Sequence, residues 1–353
     1  MANNKTNSYH EKIKIEYIQK LRELSNNLPS FCNTFFRGIQ EKSSVRTLVG
    51  YAYDLQIFFK FLKDEKLTNI TSIRDIKISD LESLNKVDIE DYLDYLGYYI
   101  SDDNIVHTND ARGKARKLSA LKGLYNYLCE SELITNNPVA IVHSPKIHEK
   151  NIIKLDPNEV AKLLDVVEFG FENESKHQMA YHNQTKIRDL ALLTLLLGTG
   201  IRVSECVGLN ISDIDFDNCA IKIIRKGGNE STVYFGEEVE DALYSYLQKR
   251  KKIIVENASE DALFLSMQKK RISVRAVENL VKKYASKVTS LKKITPHKLR
   301  STYGTNLYKE SGDIYLVASV LGHKDVNTTK KHYASMDEDA KRKAARIVKL
   351  RKE

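Results

Sequence analysis

Apolar residues recur at three- and four-residue steps through the first half of the chain, and that period predicts helices. In TLVGYAYDLQIFFKFLKDE, Leu48, Tyr51, Leu55, Phe58, Phe59 and Leu62 make one stripe on a helix of about five turns. Ser43 and Ser44 stand before it as candidate caps. The roughly 40 residues ahead of this stripe carry no comparably strong period. A second helix is expected through DIEDYLDYLGYYI, where Ile89, Tyr92, Leu93 and Leu96 repeat the spacing. A third is expected through ARGKARKLSALKGLYNYLCES, with Leu118, Leu121, Leu124, Tyr125 and Leu128 on one side. The segment TNNPVAIVHSPKIHEKNIIKLDPNEV then holds three of the five prolines and no clear period, as an extended linker would.

Beyond the linker the pattern changes. DPNEVAKLLDVVE reads as a helix capped by Asp156, with Glu159 in the capping-box position. RDLALLTLLLGTGIRVSECVGL reads as a fully buried helix through Leu197, a glycine break at Gly198 and Gly200, and a further short helix. Arg202 sits at that break between the apolar Ile201 and Val203, and Glu205, one turn on, is placed to pair with it. Alternation in AIKII and TVYF around Gly227, Gly228 and Asn229 predicts a β-hairpin, with Lys226 where strand becomes turn. Pro296 opens a helix whose first turns carry His297 and Arg300, three residues apart. Leu316, Val317 and Val320 lead into Leu321, Gly322 and His323, where the glycine ends a helix. Asn327 and Thr328 can cap a short helix bearing His332 and Tyr333. The tail DAKRKAARIVKLRKE mixes Ala340, Ala344, Ala345, Ile347, Val348 and Leu350 with seven cations.

The expected fold class is mainly α with a small antiparallel β-sheet. An all-helical N-terminal domain with an N-terminal extension spans residues 1–145, a linker 146–155, and an α+β domain 156–353. A length of 353 residues agrees with two domains, each large enough to bury a core.

Charge adds a direction. Against 47 Asp+Glu stand 56 Lys+Arg, and a net +9 leans towards a polyanionic partner. Arg112, Lys114, Arg116, Lys117 and Lys122 crowd the start of the third helix without interleaved acids. They form either a solvated face or one that contacts nucleic-acid backbone, and like charges so close favour the second. Cys32, Cys129, Cys206 and Cys219 are scattered and form no CxxC pair, which argues against a disulfide framework and a thiolate zinc site. Asp213, Asp215 and Asp217 resemble the opening of a calcium loop, but Asn218 stands where glycine is needed and Ile224 where the closing glutamate belongs, so metal binding is rejected. No stretch approaches the roughly 18 apolar residues of a membrane span, and the N-terminus lacks an apolar signal core. A cytoplasmic protein is expected.

The order of an arginine in GTGIRVSE, a hairpin lysine, His-x-x-Arg, LGH and a following tyrosine resembles the tyrosine recombinases, and within them the Xer branch. The resemblance covers about residues 156–335, with the helical first domain similar to that family's core-binding domain. It implies that Arg202 and Arg300 are the catalytic arginines, Lys226 the hairpin lysine, His297 and His323 the two histidines and Tyr333 the nucleophile, with Glu205 supporting Arg202. The chemistry accounts for these types. Attack of a phenol on a phosphodiester builds charge on non-bridging oxygens, which paired guanidinium forks stabilise. A phenol with a pKa of about 10 needs a base, here His297, and the departing 5′ oxygen needs an acid, here Lys226. His323 is implied to hydrogen-bond the phosphate. Neither metal nor cofactor is implied.

Two features depart from the family pattern. Ten positions separate His323 from Tyr333, one more than is usual, which raises Tyr303 and Tyr315 as alternatives lacking the motif's position. The hairpin reads RKGGNES rather than Gly-Lys-Gly-Asn-Lys, so Lys226 is assigned by position. In the family the extreme C-terminal helix docks into an adjacent subunit, giving a homotetramer on two duplexes. The apolar side between residues 340 and 350 fits that role, a disordered basic tail being the alternative. The length, the extended N-terminus and LGHKDVNTTKKHYASM resemble the single-protein Xer recombinases of streptococci and lactococci. Chromosome-dimer resolution at a dif-like site, with an FtsK-type DNA translocase as partner, is the expectation. A mobile-element integrase and a catalytically silent DNA-binding protein are the alternatives.

Overall fold

The computed structural model describes residues 8–147, 152–170, 175–225, 227–255, 261–323 and 325–326. The chain divides into two compact units, Met1–Lys150 and Asn151–Glu353.

The first unit is helical. Its elements are α1 (Tyr9–Ser25), α2 (Phe31–Ile39), α3 (Val45–Phe61), α4 (Ile78–Glu82), α5 (Lys86–Tyr95), a two-stranded ribbon of β1 (Tyr99–Ile100) and β2 (Val106–His107), and α6 (Ala111–Glu130). The stripe on α3 is the centre of the core: Leu48, Leu55, Phe58 and Phe59 are buried against Leu118, Leu121 and Leu124 of α6. Phe58 meets Tyr92 of α5 edge to face at 5.1 Å between centroids, and the Tyr125 hydroxyl donates to the Leu81 carbonyl at 3.0 Å. Ser44 caps α3 by accepting from the Thr47 N–H.

The residues before Ser43 form two helices: α2 buries Phe31, Cys32, Phe35 and Phe36, while α1 contributes partly buried Leu21 and Leu24. One expectation is corrected here. The helix expected through Ile100 stops at Tyr95. Asn109 terminates it, donating from its backbone N (3.2 Å) and its Nδ2 (3.0 Å) to the Leu96 carbonyl. The chain beyond Gly97 turns into the ribbon, where Tyr99 stacks between Tyr95 and His107.

The second unit begins with α7 (Pro157–Phe169), whose capping box joins Asp156 and Glu159 as the sequence predicts. There follow α8 (Lys176–Thr199), α9 (Val203–Gly208), a three-stranded antiparallel sheet of β3 (Ile214–Asp215), β4 (Ala220–Ile224) and β5 (Glu230–Tyr234), then α10 (Glu237–Arg250), α11 (Val274–Val288), α12 (Pro296–Ser311) and α13 (Ile314–Leu321). Strand order is β3-β4-β5, with Ile221 opposite Val233. The long α8 is buried through Ala191–Leu196 and packs against α7, α10 and α12. Tyr284 of α11 reaches α8 by donating from its hydroxyl to Asp189 at 3.0 Å.

Gly198 does not break α8, which runs on to Thr199. Its role is close approach, since a Cβ there would lie 2.4 Å from Cγ2 of Val239 on α10. Gly198→Ala is therefore expected to destabilise the protein by about 1–3 kcal/mol through overpacking, which outweighs the roughly 1 kcal/mol gain in helix propensity. Denaturant melts check this, and adding Val239→Ala should restore part of the loss.

Candidate active site

Three chain segments converge beside the end of α8. The first is the turn between α8 and α9. Gly200 ends α8 in the left-handed region, φ 63°, and a Cβ there would lie 2.4 Å from the Tyr303 ring and 3.0 Å from Leu321. Only glycine suits both demands. Arg202 then caps α9 through its main chain: its N–H donates to Glu205 Oε2 at 2.7 Å, and its Nη1 donates to Glu205 Oε1 at 2.8 Å. Glu205 is 3% exposed while the Arg202 side chain is 35% exposed, so the carboxylate is enclosed and the guanidinium reaches the surface. The pairing anticipated from sequence is present, and it orients Arg202 rather than hiding it.

The second segment is the start of α12. Arg300 is 4% exposed. Its Nη1 donates to the Gly200 carbonyl at 2.6 Å and its Nη2 to the Leu321 carbonyl. His297, one turn earlier, is exposed, so the shared face places one group at the surface and the other beneath it. The third segment is the end of α13, which Asp313 caps at its start through the Tyr315 and Leu316 N–H groups. Gly322 terminates it at φ 60°, and the His323 N–H then donates to the Ala318 carbonyl at 2.9 Å. His323 is half-buried. A cation set against helix C-terminal carbonyls is electrostatically favoured, which helps to hold the Arg300 charge in a buried position.

Arg225, at the end of β4, was not singled out by sequence reasoning. Its Nη1 donates to the Leu321 carbonyl at 2.9 Å and its Nη2 to that of Val320 at 3.0 Å. Burial, and to a lesser degree the neighbouring Arg202 charge, pull its guanidinium below the ordinary value against the opposing pull of Glu205. Arg271 is a further unanticipated brace, donating to the carbonyls of Val207 and Leu209 and to Asn210 Oδ1 where α9 ends. Neither could be found from local pattern, because the accepting carbonyls lie over 60 residues away.

The structure thus brings Arg202, Glu205, Arg300 and the His323 segment to one place, with His297 on the turn preceding Arg300. Lys226, Tyr333 and the apolar side of the tail at 340–350 lie outside the described residues. Of the two alternative tyrosines, Tyr303 is packed with Val317 and Leu321, and burial raises its phenol above the ordinary value. Tyr315 is exposed on the first turn of α13, about 9 Å along the axis from the end that leads to His323. Among the described residues no group of three or more His, Cys, Asp or Glu side chains could hold a metal ion. Asp213 and Asp215 instead close their own turns, accepting from the Asn210 and Asn218 N–H groups.

The basic group on α6 is not uniformly exposed. Arg112 is exposed, but Lys117 is buried and donates to Asn109 Oδ1 at 2.7 Å, and burial lowers its pKa. Lys122 donates to the Val142 carbonyl at 3.0 Å. Arg116 pairs with Asp54 of α3, the interleaved acid missing from α6 itself. Burial in turn raises the Asp54 carboxyl above its usual range, against the Arg116 charge. Arg112 and Arg116 are exposed, Lys114 and Lys122 are half-buried, and Lys117 alone of the five is buried.

The profile of the Phage integrase family matches residues 154–339, and the chain belongs to that family of tyrosine recombinases, which cleave and rejoin DNA through a tyrosine nucleophile. Within it the chain lies in the Xer branch. It is 34% identical over 320 residues to tyrosine recombinase XerC of Caldanaerobacter subterraneus subsp. tengcongensis, covering 90% of this chain and 85% of that one. It is 32% identical over 296 residues to XerC of Thermodesulfovibrio yellowstonii, covering 82% and 86%. The fold is that of the XerH site-specific recombinase bound to palindromic difH substrate in a post-cleavage complex, with a TM-score of 0.64 at 20% identity over 98% of both chains. A lambda integrase dimer bound to a core site gives 0.59 at 18% identity over 85% and 96%. Among the described residues no helix is long and apolar enough to cross a membrane.

Proposed function

We propose that this enzyme recombines double-stranded DNA at a dif-like chromosomal site and so resolves chromosome dimers at cell division. The observation that carries the chemistry is the convergence of Arg202 and Arg300 at the end of α13, directly before His323. A scissile phosphate placed there meets two guanidiniums, one braced by Glu205 and the other by main-chain carbonyls. His297 takes the phenolic proton of Tyr333, whose oxygen attacks phosphorus and forms a 3′-phosphotyrosyl bond. The bond to the 5′ oxygen breaks, and Lys226 protonates that oxygen. Bond energy is conserved in the tyrosyl ester, so rejoining needs neither ATP nor metal. Arg112, Lys114 and Arg116 contact the DNA backbone from α6.

Four protomers act on two duplexes, linked through the tail at 340–350, and an FtsK-type translocase is the partner that activates exchange in the cytoplasm. What supports the chromosomal reading is the XerC naming of the relatives and the difH substrate of the XerH complex. A single-protein system like that of streptococci and lactococci rests on sequence resemblance alone.

The test is covalent trapping on labelled duplexes nicked so that the cleaved end diffuses away. Terminus-region DNA from the source genome is expected to give an SDS-stable complex with EDTA present and no ATP. Element-end DNA trapped in preference to terminus DNA would move the assignment to a mobile-element integrase. Binding with no trapping on either, even with a translocase domain added, would make the protein a silent binder.

A further inference from the structure

Arg225 is a third guanidinium at the site, and its two ends are fixed to different elements. Its main chain closes the hairpin: its N–H donates to the Asn229 carbonyl at 2.8 Å and its carbonyl accepts from Gly228 at 3.0 Å. Its side chain grips the last turn of α13 through two consecutive carbonyls, Val320 and Leu321. Arg300 donates to that same Leu321 carbonyl. Gly322 leaves the room for this, since a Cβ there would lie 2.0 Å from Arg225 Nη1 and 2.4 Å from its Cζ. The left-handed turn that precedes His323 is therefore shaped around Arg225. The charges point the same way: Arg202, Arg225 and Arg300 gather here with Glu205 as the paired carboxylate, an excess of positive charge suited to an anion.

We propose that Arg225 is a positioning residue for strand cleavage, locking the end of α13 to β4 beside Arg300 and so setting Arg300 and His323 against the scissile phosphate. The proposal rests on the reading of the phosphate site given above. It requires the fork, because a lysine cannot span two successive carbonyls. Releasing the end of α13 shifts the phosphate-facing groups, and a displacement of about 1 Å costs on the order of 100-fold in rate.

Single-turnover covalent trapping at saturating nicked duplex, with wild type, Arg225→Gln and Arg225→Lys, tests this. Trapping by Arg225→Gln is expected to slow by roughly 10- to 100-fold, with Arg225→Lys in between and DNA affinity by gel shift changed less than about twofold. A second substrate carries a neutral methylphosphonate at the scissile position, which develops less charge and depends less on the guanidiniums. On it the Arg225→Gln deficit should shrink to about threefold or less. A general loss of folded protein would depress both substrates alike. Wild-type rates for Arg225→Gln, equal deficits on both substrates, or a parallel loss of DNA affinity would each overturn the proposal. So would unfolding of both variants in denaturant melts, which would make Arg225 a residue of stability only. Failure of the underlying site reading shows separately, as wild-type protein that forms no covalent product.

Discussion

Tyr333→Phe is expected to form no covalent complex with DNA while shifting a specific duplex as the wild type does. The substitution removes one oxygen, the atom that would bond to phosphorus, and phenylalanine offers no replacement. It leaves the ring and the protein's charge intact, so binding should change by less than about twofold. The alternatives are poorly placed: Tyr303 is packed against Leu321 with its phenol raised by burial, and Tyr315 sits at the far end of α13 from His323. Tyr303→Phe and Tyr315→Phe should both still trap DNA. Digestion of the wild-type complex should place the nucleotide mass on the peptide spanning residues 332–341, the tryptic fragment HYASMDEDAK. A covalent band surviving in Tyr333→Phe, or nucleotide on another tyrosine, would remove Tyr333 from the mechanism. It would also show that the ten-residue separation from His323 has passed the role to another side chain.

Arg300→Ala should fail in two ways at once. The guanidinium is buried and is bound to the carbonyls of Gly200 and Leu321. Truncation takes the Arg300 donor from the Gly200 carbonyl, at about 1–3 kcal/mol, while the Leu321 carbonyl keeps its bond from Arg225. A loss of roughly 1–3 kcal/mol in the unfolding free energy follows. Cleavage should fall by at least about 100- to 1,000-fold, as when one preorganised donor to a developing oxyanion is removed. Arg300→Lys keeps the charge but cannot span the two carbonyls, so it should recover part of the stability and little of the rate. Denaturant melts and single-turnover trapping on the same preparations separate the two effects. Cleavage by Arg300→Ala within about tenfold of wild type would exclude Arg300 from the phosphate site.

Legibility in the sequence followed the range of the interactions. The stripes of α3 and α6, the Asp156–Glu159 capping box and the glycine-turned hairpin are local patterns, and each appears as expected. Arg202 with Glu205 was readable because the partners are three residues apart. The end of α5 was not, since Asn109, thirteen residues beyond Leu96, determines it. Lys117 reads as a surface charge until Asn109, on the segment ahead of α6, is seen to accept from its ammonium, and Arg116 reads as unpaired because Asp54 lies on another helix. Arg225, a cation beside a glycine turn, reads as solvated until the carbonyls 95 and 96 residues away come into view. Gly198 read as a break because its need for space is set by Val239, across a helix interface.

The bonds that assemble the second unit also set an order of events during synthesis. Arg300 meets Gly200 across 100 residues, and the Leu155 N–H meets the Thr302 hydroxyl across 147. A ribosome can release the whole helical first unit, and α7 to α11 as well, before α12 exists to supply Arg300. The nascent chain is then able to fold its N-terminal unit while its strand-cutting centre is still missing a wall. A chain made only as far as α11 lacks Arg300 and the end of α13 that it binds, so the site is completed only when α12 and α13 have been made.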